Sequence, residues 1–301
     1  MMRRLACSAL VALLLAAPAL LAQHAPAPSP GKSPIRAKPW PADEVLLARE
    51  SDSEQRKLFQ SESVLDFVLT SDFSLINADR TPDSAKQFPG VLAAAGVEMP
   101  VKLGSRGHLR LNARTCDFVP IRIVFPHDQV AGTVFEGQTT LKLGTHCRSD
   151  QAFDQYVIRE YLAYKLANLV TPLSFRARLG RGAYVDARSN KRQSTHLALF
   201  LEHENDVARR LSGREVRVPH LVFNQLDGEA LTRMMLLEYM LGNTDYSIWA
   251  LHNVVIVQDK RRRFFPVPYD FDLSGMVHAP YAAPDPRLPL HSVTDRLYRG
   301  P

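Results

Sequence analysis

Short apolar runs separated by turn-forming residues occupy the chain from residue 64 to residue 143. The runs cover residues 64–69, 73–76, 101–103, 109–111, 121–125 and 138–143. Breakers such as Ser71-Asp72, Gly90, Gly104 and Pro120 stand between them. Apolar runs of this length bounded by turn residues are typical of strands, so the first half is predicted to be rich in β-structure.

A helical period begins at residue 151. The apolar residues that recur at helical spacing are Phe153, Val157, Tyr161 and Tyr164. They predict an amphipathic helix over residues 151–170, capped by Ser149 or Asp150. Glu160 interrupts the apolar stripe, so we expect its carboxylate to point toward the apolar side. The alternative is a boundary glutamate that meets a surface lysine.

The second half alternates strands and helices. Strands are predicted near residues 175–179 and 196–202, followed by a short helix at 206–211. Residues 231–241 are mostly apolar, with Arg233 and Glu238 as the only charged residues, which is typical of a helix buried on nearly every side. Two apolar runs, 254–257 and 264–267, flank a polar tip and predict an antiparallel hairpin.

The composition is that of a globular protein, with 46% hydrophobic and 23% charged residues, which argues against a disordered, collagen-like or coiled-coil chain. Arg3 and Arg4, the apolar run 5–15 and the small residues up to Ala22 predict a signal peptide over residues 1–22. An uncleaved anchor is the alternative. A Pro-rich tether and lead-in is predicted for residues 23–62. We therefore expect an exported, periplasmic or extracellular protein with no stable membrane span after cleavage.

The net charge and the number of cysteines limit which molecules and metals the protein is expected to bind. Loss of the signal peptide lowers the formal net charge from +6 to +4, and only residues 260–263 form a basic cluster, so nucleic acid is not an expected partner. Cys116 and Cys147 would remain. They form a disulfide or a buried pair of thiols, and two cysteines are too few for a structural zinc site.

An acid–amide constellation surrounds the predicted hairpin. Asn253 and Asp270 are symmetric about a centre between residues 261 and 262, so they should meet at its open end. Asp245 lies on the loop before the first strand, and Asp272 follows Asp270 closely. Oxygen ligands of this kind suit Mg²⁺ or Mn²⁺ with substrate phosphates, as phosphoryl transfer requires. The alternative is that these residues are helix caps and turn residues.

A basic residue that could neutralise phosphates is found in the first half. Lys142 stands between two leucines that would face the core, and Glu160 follows eighteen residues later on the predicted helix. A strand lysine paired with a helix glutamate is part of the kinase arrangement. A solvated strand lysine is the alternative.

Three segments carry a resemblance to a known family: residues 106–108 (Arg-Gly-His), 159–164 (Arg-Glu-Tyr-Leu-Ala-Tyr) and 265–273 (Phe-Pro-Val-Pro-Tyr-Asp-Phe-Asp-Leu). Over residues 65–299 the chain resembles the spore-coat CotH kinase-like family of the protein-kinase-like superfamily. The resemblance implies a two-lobed α+β protein-kinase-like fold. Its strand-rich N-lobe with one long helix would span 63–202, and a smaller helical C-lobe, shorter than usual, would span 203–301.

The resemblance also implies roles for individual residues. Asp245 would be the catalytic aspartate, and Asn253 with Asp270, or alternatively Asp272, would bind the metal. Lys142 and Glu160 would form the phosphate-binding ion pair. The adenine would dock at a hinge containing Glu202 and His203. Two departures are the wide spacing between Asp245 and Asn253 and the missing Gly-rich loop before the lysine.

These observations predict an exported, atypical kinase-like transferase. It would use ATP with Mg²⁺ or Mn²⁺ and transfer the γ-phosphate to an unknown acceptor, such as an envelope or secreted protein. One alternative is an inactive pseudokinase that serves as an envelope binding or scaffold protein. A third hypothesis is a hydrolase, although common nucleophile and metalloprotease motifs are absent from the sequence.

Overall fold

A computed structural model describes residues 39–301, which belong to one compact unit. The predicted signal peptide and the tether up to residue 38 lie outside the described residues. The helices are α1 (Asp43–Glu54), α2 (Phe73–Ala78), α3 (Asp154–Val170), α4 (Glu204–Arg210) and α5 (Gly228–Leu241). The first seven strands are β1 (Leu65–Ser71), β2 (Phe88–Ala94), β3 (Val97–Ser105), β4 (Ile121–Val124), β5 (Thr140–Gly144), β6 (Ala177–Asp186) and β7 (Arg192–Leu201). The last three are β8 (Arg214–Val216), β9 (Val254–Gln258) and β10 (Phe264–Pro268).

The first seven strands form a closed barrel in the order β1-β2-β3-β4-β5-β7-β6. Closure depends on β6, which pairs in parallel with β1 from Leu65 opposite Gly180 to Ser71 opposite Asp186. The other strand pairs of the barrel are antiparallel. Closure joins the two edge strands, which would otherwise carry unpaired backbone groups.

The predicted two-lobed protein-kinase-like fold is therefore wrong. The predicted N-lobe strands close into a barrel. The predicted helical C-lobe instead contains the antiparallel sheet β10-β9-β8, with α5 as its only long helix among the described residues. Apolar runs report which segments are extended, but the pairing of β1 with β6 joins residues far apart in the chain and has no local signal.

Glycine is required on the inner side of β6. A Cβ atom on Gly182 would lie 2.3 Å from Cζ of the buried Phe67, far inside van der Waals contact. Phe67 in turn packs edge-on against Phe200 of β7, with ring centroids 5.1 Å apart. The parallel β1–β6 contact therefore depends on a glycine that leaves room for an aromatic ring.

Several local predictions are corrected by the structure. Residues 73–76 begin the helix α2, because the Asp72 side chain caps it by accepting from Ser74 N and Leu75 N. Residues 109–111 form a 3-10 turn rather than a strand, and Gly90 and Gly104 lie inside β2 and β3. The helix α5 is buried on one side only, since Leu236, Tyr239 and Met240 are exposed.

Other local predictions are confirmed. The helix α3 matches the periodicity found from residue 151, and the β9–β10 hairpin has the predicted strands. A second apolar cluster fixes α3, β7, α5 and the hairpin against one another; its members include Val157, Tyr164, Leu199, Leu237, Val257 and Phe271. This cluster holds the end of the hairpin close to the barrel.

Cys116 and Cys147 form a disulfide with 4.6 Å between their Cα atoms. The backbone supports the same junction, because Asp117 N donates to the Cys147 carbonyl over 2.9 Å. The bond ties the segment before β4 to the residues that follow β5. No helix in residues 39–301 is both long and apolar enough to cross a membrane.

Candidate functional site

A cavity of about 730 Å³ lies between one end of the barrel and the open end of the β9–β10 hairpin. The barrel contributes cationic side chains, and the hairpin with the preceding loop contributes acids. The polar and charged residues that line it include Arg106, Arg110, Arg122, Lys142, His203, Glu204, Arg217, Asp245, His252, Asn253, Asp270 and Asp272. Opposite charges from distant parts of the chain thus face one shared space.

The hairpin delivers Asn253 and Asp270 to the cavity, but not as a directly opposed pair. Tyr269 N donates to the Asn253 carbonyl over 3.0 Å, so Asn253 lies opposite Tyr269 and Asp270 follows one position later. The predicted register is therefore off by one residue. The cause is the three-residue tip, in which Arg262 adopts a left-handed conformation with φ of 65°.

Asp245 is held by two neighbours from its own loop. Asn253 Nδ2 donates to the Asp245 carbonyl over 2.7 Å and to its carboxylate over 2.9 Å. His252 Nε2 lies 3.1 Å from the other carboxylate oxygen. This hydrogen bond raises the pKa of His252, although desolvation opposes the shift. The Asp245 carboxylate is about one-third exposed and open to the cavity.

The Asp270 side chain lines the cavity just after β10. Its backbone N donates to the Tyr164 hydroxyl over 2.9 Å, and its φ of 64° turns the chain sharply at the end of β10. Within residues 39–301 its carboxylate makes no hydrogen bond or ion pair. Asp272 is buried and accepts from the Tyr281 hydroxyl over 3.1 Å. Burial, together with the charge of Asp270, raises the pKa of Asp272.

Lys142 pairs with Glu204, so the predicted ion pair between Lys142 and Glu160 is wrong. The pairing of β5 with β7 explains the difference. Lys142 lies opposite Leu201 in the β5–β7 pair, and the chain leaving β7 brings Glu204 directly to it. The lysine ammonium also lies 4.4 Å from the centroid of the Tyr269 ring.

Glu160 is buried, as its place in the apolar stripe predicted, but no lysine of residues 39–301 forms an ion pair with it. With Arg110, Asp272 and Tyr281 it lines a small chamber of about 10 Å³ beside the main cavity. Burial and the nearby aspartates raise the pKa of Glu160. The chamber is large enough for about one water molecule. Glu160 therefore belongs to an acidic cluster below Asp272 rather than to a phosphate-binding pair.

The two residues predicted to form an adenine hinge have separate environments. Glu202 is fully buried and forms ion pairs with Arg176 and Arg210, at 3.1 Å and 2.8 Å. His203 lines the cavity, where its Nδ1 accepts from Asn205 N and caps α4. Of the two, only His203 is placed to contact a bound molecule.

The sequence analysis did not identify most of the arginines that line the cavity, nor Glu204. Arg106 was noted only as part of a family-like segment, and Arg122, Arg217 and Glu204 were not singled out. The Arg106 guanidinium makes no hydrogen bond or ion pair in the described part of the chain. Arg110 is half-buried, and its Nε has no hydrogen-bond partner in residues 39–301. The signal that could have identified Arg106 is its position just before Gly107 at the end of β3. Gly107 has φ of 93°, a backbone conformation that favours glycine.

Glu238 lies buried on α5, one helix away from the cavity. Neither of its carboxylate oxygens has a hydrogen-bond partner in residues 39–301. Burial raises the pKa of Glu238 to about 8, against the opposing influence of Asn243 and Arg299. The folded protein thus holds this carboxyl group protonated at neutral pH.

Glu238→Gln should change how stability depends on pH. Folding takes up a proton at Glu238 between the unfolded pKa and the folded value of about 8, so wild-type stability falls as pH rises through this window. The difference in unfolding free energy, variant minus wild type, should increase by about 3 kcal/mol from pH 5 to pH 8. Urea denaturation at both pH values measures it. The exposed Glu229→Gln on the same helix is the control, and equal pH slopes for the Glu238 variant and wild type would refute the assignment.

No protein-family model and no curated protein matches this chain. Among the described residues, no group of three or more His, Cys, Asp or Glu side chains is arranged to hold a metal ion. The carboxylates that line the cavity include Asp270 and Asp272, which are two residues apart in the chain, and the Asn253 side chain lines it as well. Two carboxylates are the usual protein contribution to a cation whose remaining ligands are phosphates and water.

Proposed function

We propose that this protein transfers the γ-phosphate of ATP to an acceptor hydroxyl in the 730 Å³ cavity, with Mg²⁺ or Mn²⁺ as cofactor. One observation carries the proposal. The Arg106 guanidinium and the Asp270 carboxylate line the same cavity, and within residues 39–301 neither forms a hydrogen bond or an ion pair. A metal–polyphosphate complex supplies both missing partners, because its oxygens satisfy the arginine and its cation satisfies the carboxylate.

The acidic side of the cavity fits a divalent cation. Asp270, Asp272 and Asn253 would hold it, since hard cations prefer carboxylate and amide oxygens. Burial and, after it, the charge of Asp270 raise the pKa of Asp272, and a bound cation would offset both effects on this carboxylate. When bound, such an ion neutralises charge on the phosphates during transfer.

The chain's own groups would bind and orient the reactants. Arg106 and Lys142 would contact phosphate oxygens, and Lys142 would exchange Glu204 for them. Asp245 would accept a hydrogen bond from the acceptor hydroxyl and take its proton. Asn253 and His252 would hold the Asp245 carboxylate in place for that step.

The proposed setting is outside the cytoplasm, with an envelope or secreted protein as acceptor. The disulfide between Cys116 and Cys147 supports it, because such bonds persist in oxidising compartments. The balance of acids and bases around the cavity does not favour nucleic acid as a partner.

A second candidate is a binding protein without turnover. The ion pair between Lys142 and Glu204 favours it, because Glu204 already neutralises the lysine that would otherwise contact phosphate. Such a protein would bind metal–ATP or another polyanion and leave it intact.

Calorimetric titration with ATP tests the proposal. Binding is expected in Mn²⁺ and should be lost when the metal is chelated. Incubation with radiolabelled ATP should then release or transfer the γ-phosphate. Metal-dependent binding without any turnover would favour the second candidate. A folded protein that binds no ATP with metal would contradict phosphoryl transfer from ATP and would leave only the binding of another polyanion.

A further inference from the structure

The C-terminal segment reaches back to the loop that carries Asp245. Nη1 of Arg299 donates to the carbonyl oxygens of Thr244, over 2.7 Å, and Tyr246, over 2.9 Å. The guanidinium carbon lies 4.8 Å from the centroid of the Tyr246 ring. These two carbonyls flank Asp245 on either side. One rigid group therefore binds the peptide unit that precedes Asp245 and the peptide unit that follows Tyr246, so it restrains the backbone on both sides of Asp245.

The loop between α5 and β9 has little regular structure of its own. A single isolated bridge joins Ser247 and His252 in this stretch. Leu251 and Asn253 both adopt left-handed backbone conformations, with φ of 51° and 53°, which are unfavourable for residues other than glycine. The side-chain partners of Asp245 come from the same loop. They shape it internally but do not anchor it to the rest of the protein.

The same C-terminal segment contacts the start of the loop. Gly242 ends α5 with φ of 65°, and a Cβ atom on it would lie 2.4 Å from Nη1 of Arg296. The Tyr298 ring packs edge-on against Tyr239 of α5, with centroids 6.5 Å apart. Residues 296–299 thus lie along the loop and the end of its helix, and Arg299 is the member that binds next to Asp245.

We propose that Arg299 is a positioning residue for phosphoryl transfer, holding the 244–246 backbone so that the Asp245 carboxylate faces the acceptor hydroxyl. This inference rests on the proposed function for its consequence in catalysis, but not for the anchoring itself. Arg299 lines a neighbouring pocket with Tyr246 and Trp249 rather than the main cavity, so it would not contact the nucleotide. Its removal should affect the transfer step and leave ATP binding intact.

Hydrogen exchange measured by mass spectrometry tests the anchoring without any need for activity. In Arg299→Ala the amides of Ser247 and His252, which form the bridge in the loop, should exchange at least about ten-fold faster. Amides of the barrel strands should keep their wild-type rates. Arg299→Lys retains the positive charge but loses the planar set of guanidinium donors, so its amides should exchange at an intermediate rate. This variant keeps the test informative if the alanine variant does not fold. The matched control is Arg287→Ala, because that exposed arginine pairs only with Asp285 among the described residues.

Kinetics test the catalytic consequence. In Arg299→Ala, kcat should fall by at least about ten-fold, while KM for ATP stays within about two-fold. If Arg299→Ala is folded and the loop amides exchange at wild-type rates, the inference is overturned, whatever the activity of the variant. Faster exchange across the whole protein would also overturn it, because Arg299 would then contribute only to global stability. If wild-type protein transfers no phosphate, the proposed function fails, and the exchange rates still decide whether Arg299 anchors the loop.

Discussion

Asp270→Asn should weaken metal-dependent ATP binding by about 100-fold, which corresponds to loss of one charged ligand in a partly buried site. Asparagine has almost the shape of aspartate, so Tyr164 and the left-handed turn at residue 270 are retained. What disappears is the negative charge of a carboxylate that forms no hydrogen bond or ion pair in the described part of the chain. Titration of the variant with ATP in Mn²⁺, beside wild type, measures the effect.

The same substitution should not damage the fold. The charge of Asp270 raises the pKa of the buried Asp272, so its removal relieves repulsion and leaves the melting temperature equal to or above that of wild type. Asp66→Asn, on the exposed face of β1, is the control for loss of an acid far from the cavity. An ATP affinity equal to wild type in a folded Asp270→Asn protein would exclude Asp270 as a metal ligand.

Local structure was the more predictable part of this protein. The helix α3 and the β9–β10 hairpin follow from periodicity and turn residues within about twenty residues of chain. The burial of Glu160 followed in the same way, from its place in an apolar stripe. The helix α2 was missed because its short apolar run also fits a strand, and the decisive contact is the Asp72 cap.

Long-range pairing was not predictable from these patterns. The contact of β1 with β6 joins segments separated by more than a hundred residues and closes the strands of the predicted N-lobe into a barrel. A second long-range pair, β5 with β7, brings Glu204 rather than Glu160 to Lys142. The error in the fold and the error in the ion pair therefore both concern strand pairings that have no local signal.

The acidic side of the site was more accessible to sequence reasoning than the basic side. Asp245, Asn253 and Asp270 are close in the chain and are joined by one hairpin, so their convergence needs only local structure. Arg106 and Arg217 reach the cavity from the barrel and from the segment after β8, and nothing local relates them to the acids. The cavity joins these two sets because the shared apolar cluster fixes the hairpin against the barrel.

In the proposed function, the acid that would contact the acceptor is distinguishable from the acids that would hold the metal. Asp245 receives hydrogen bonds from Asn253 and His252, whereas Asp270 receives none in residues 39–301. A carboxylate fixed by two donors is oriented and remains able to accept one more proton from the cavity side. A carboxylate without donors has its oxygens free for a cation. The two predicted phenotypes should differ accordingly.

Asp245→Asn should therefore leave metal–ATP affinity within about three-fold of wild type and lower kcat by about 1,000-fold, within the range for loss of a general base. The amide keeps the size of the side chain and one hydrogen bond to the loop, but it cannot accept the hydroxyl proton. His252→Gln is the matched comparison, with a smaller loss expected because His252 acts only through Asp245. Calorimetry and single-turnover transfer with radiolabelled ATP separate binding from chemistry. Parallel loss of ATP affinity and turnover in Asp245→Asn would place Asp245 in the metal site and leave the proposed transfer without its base.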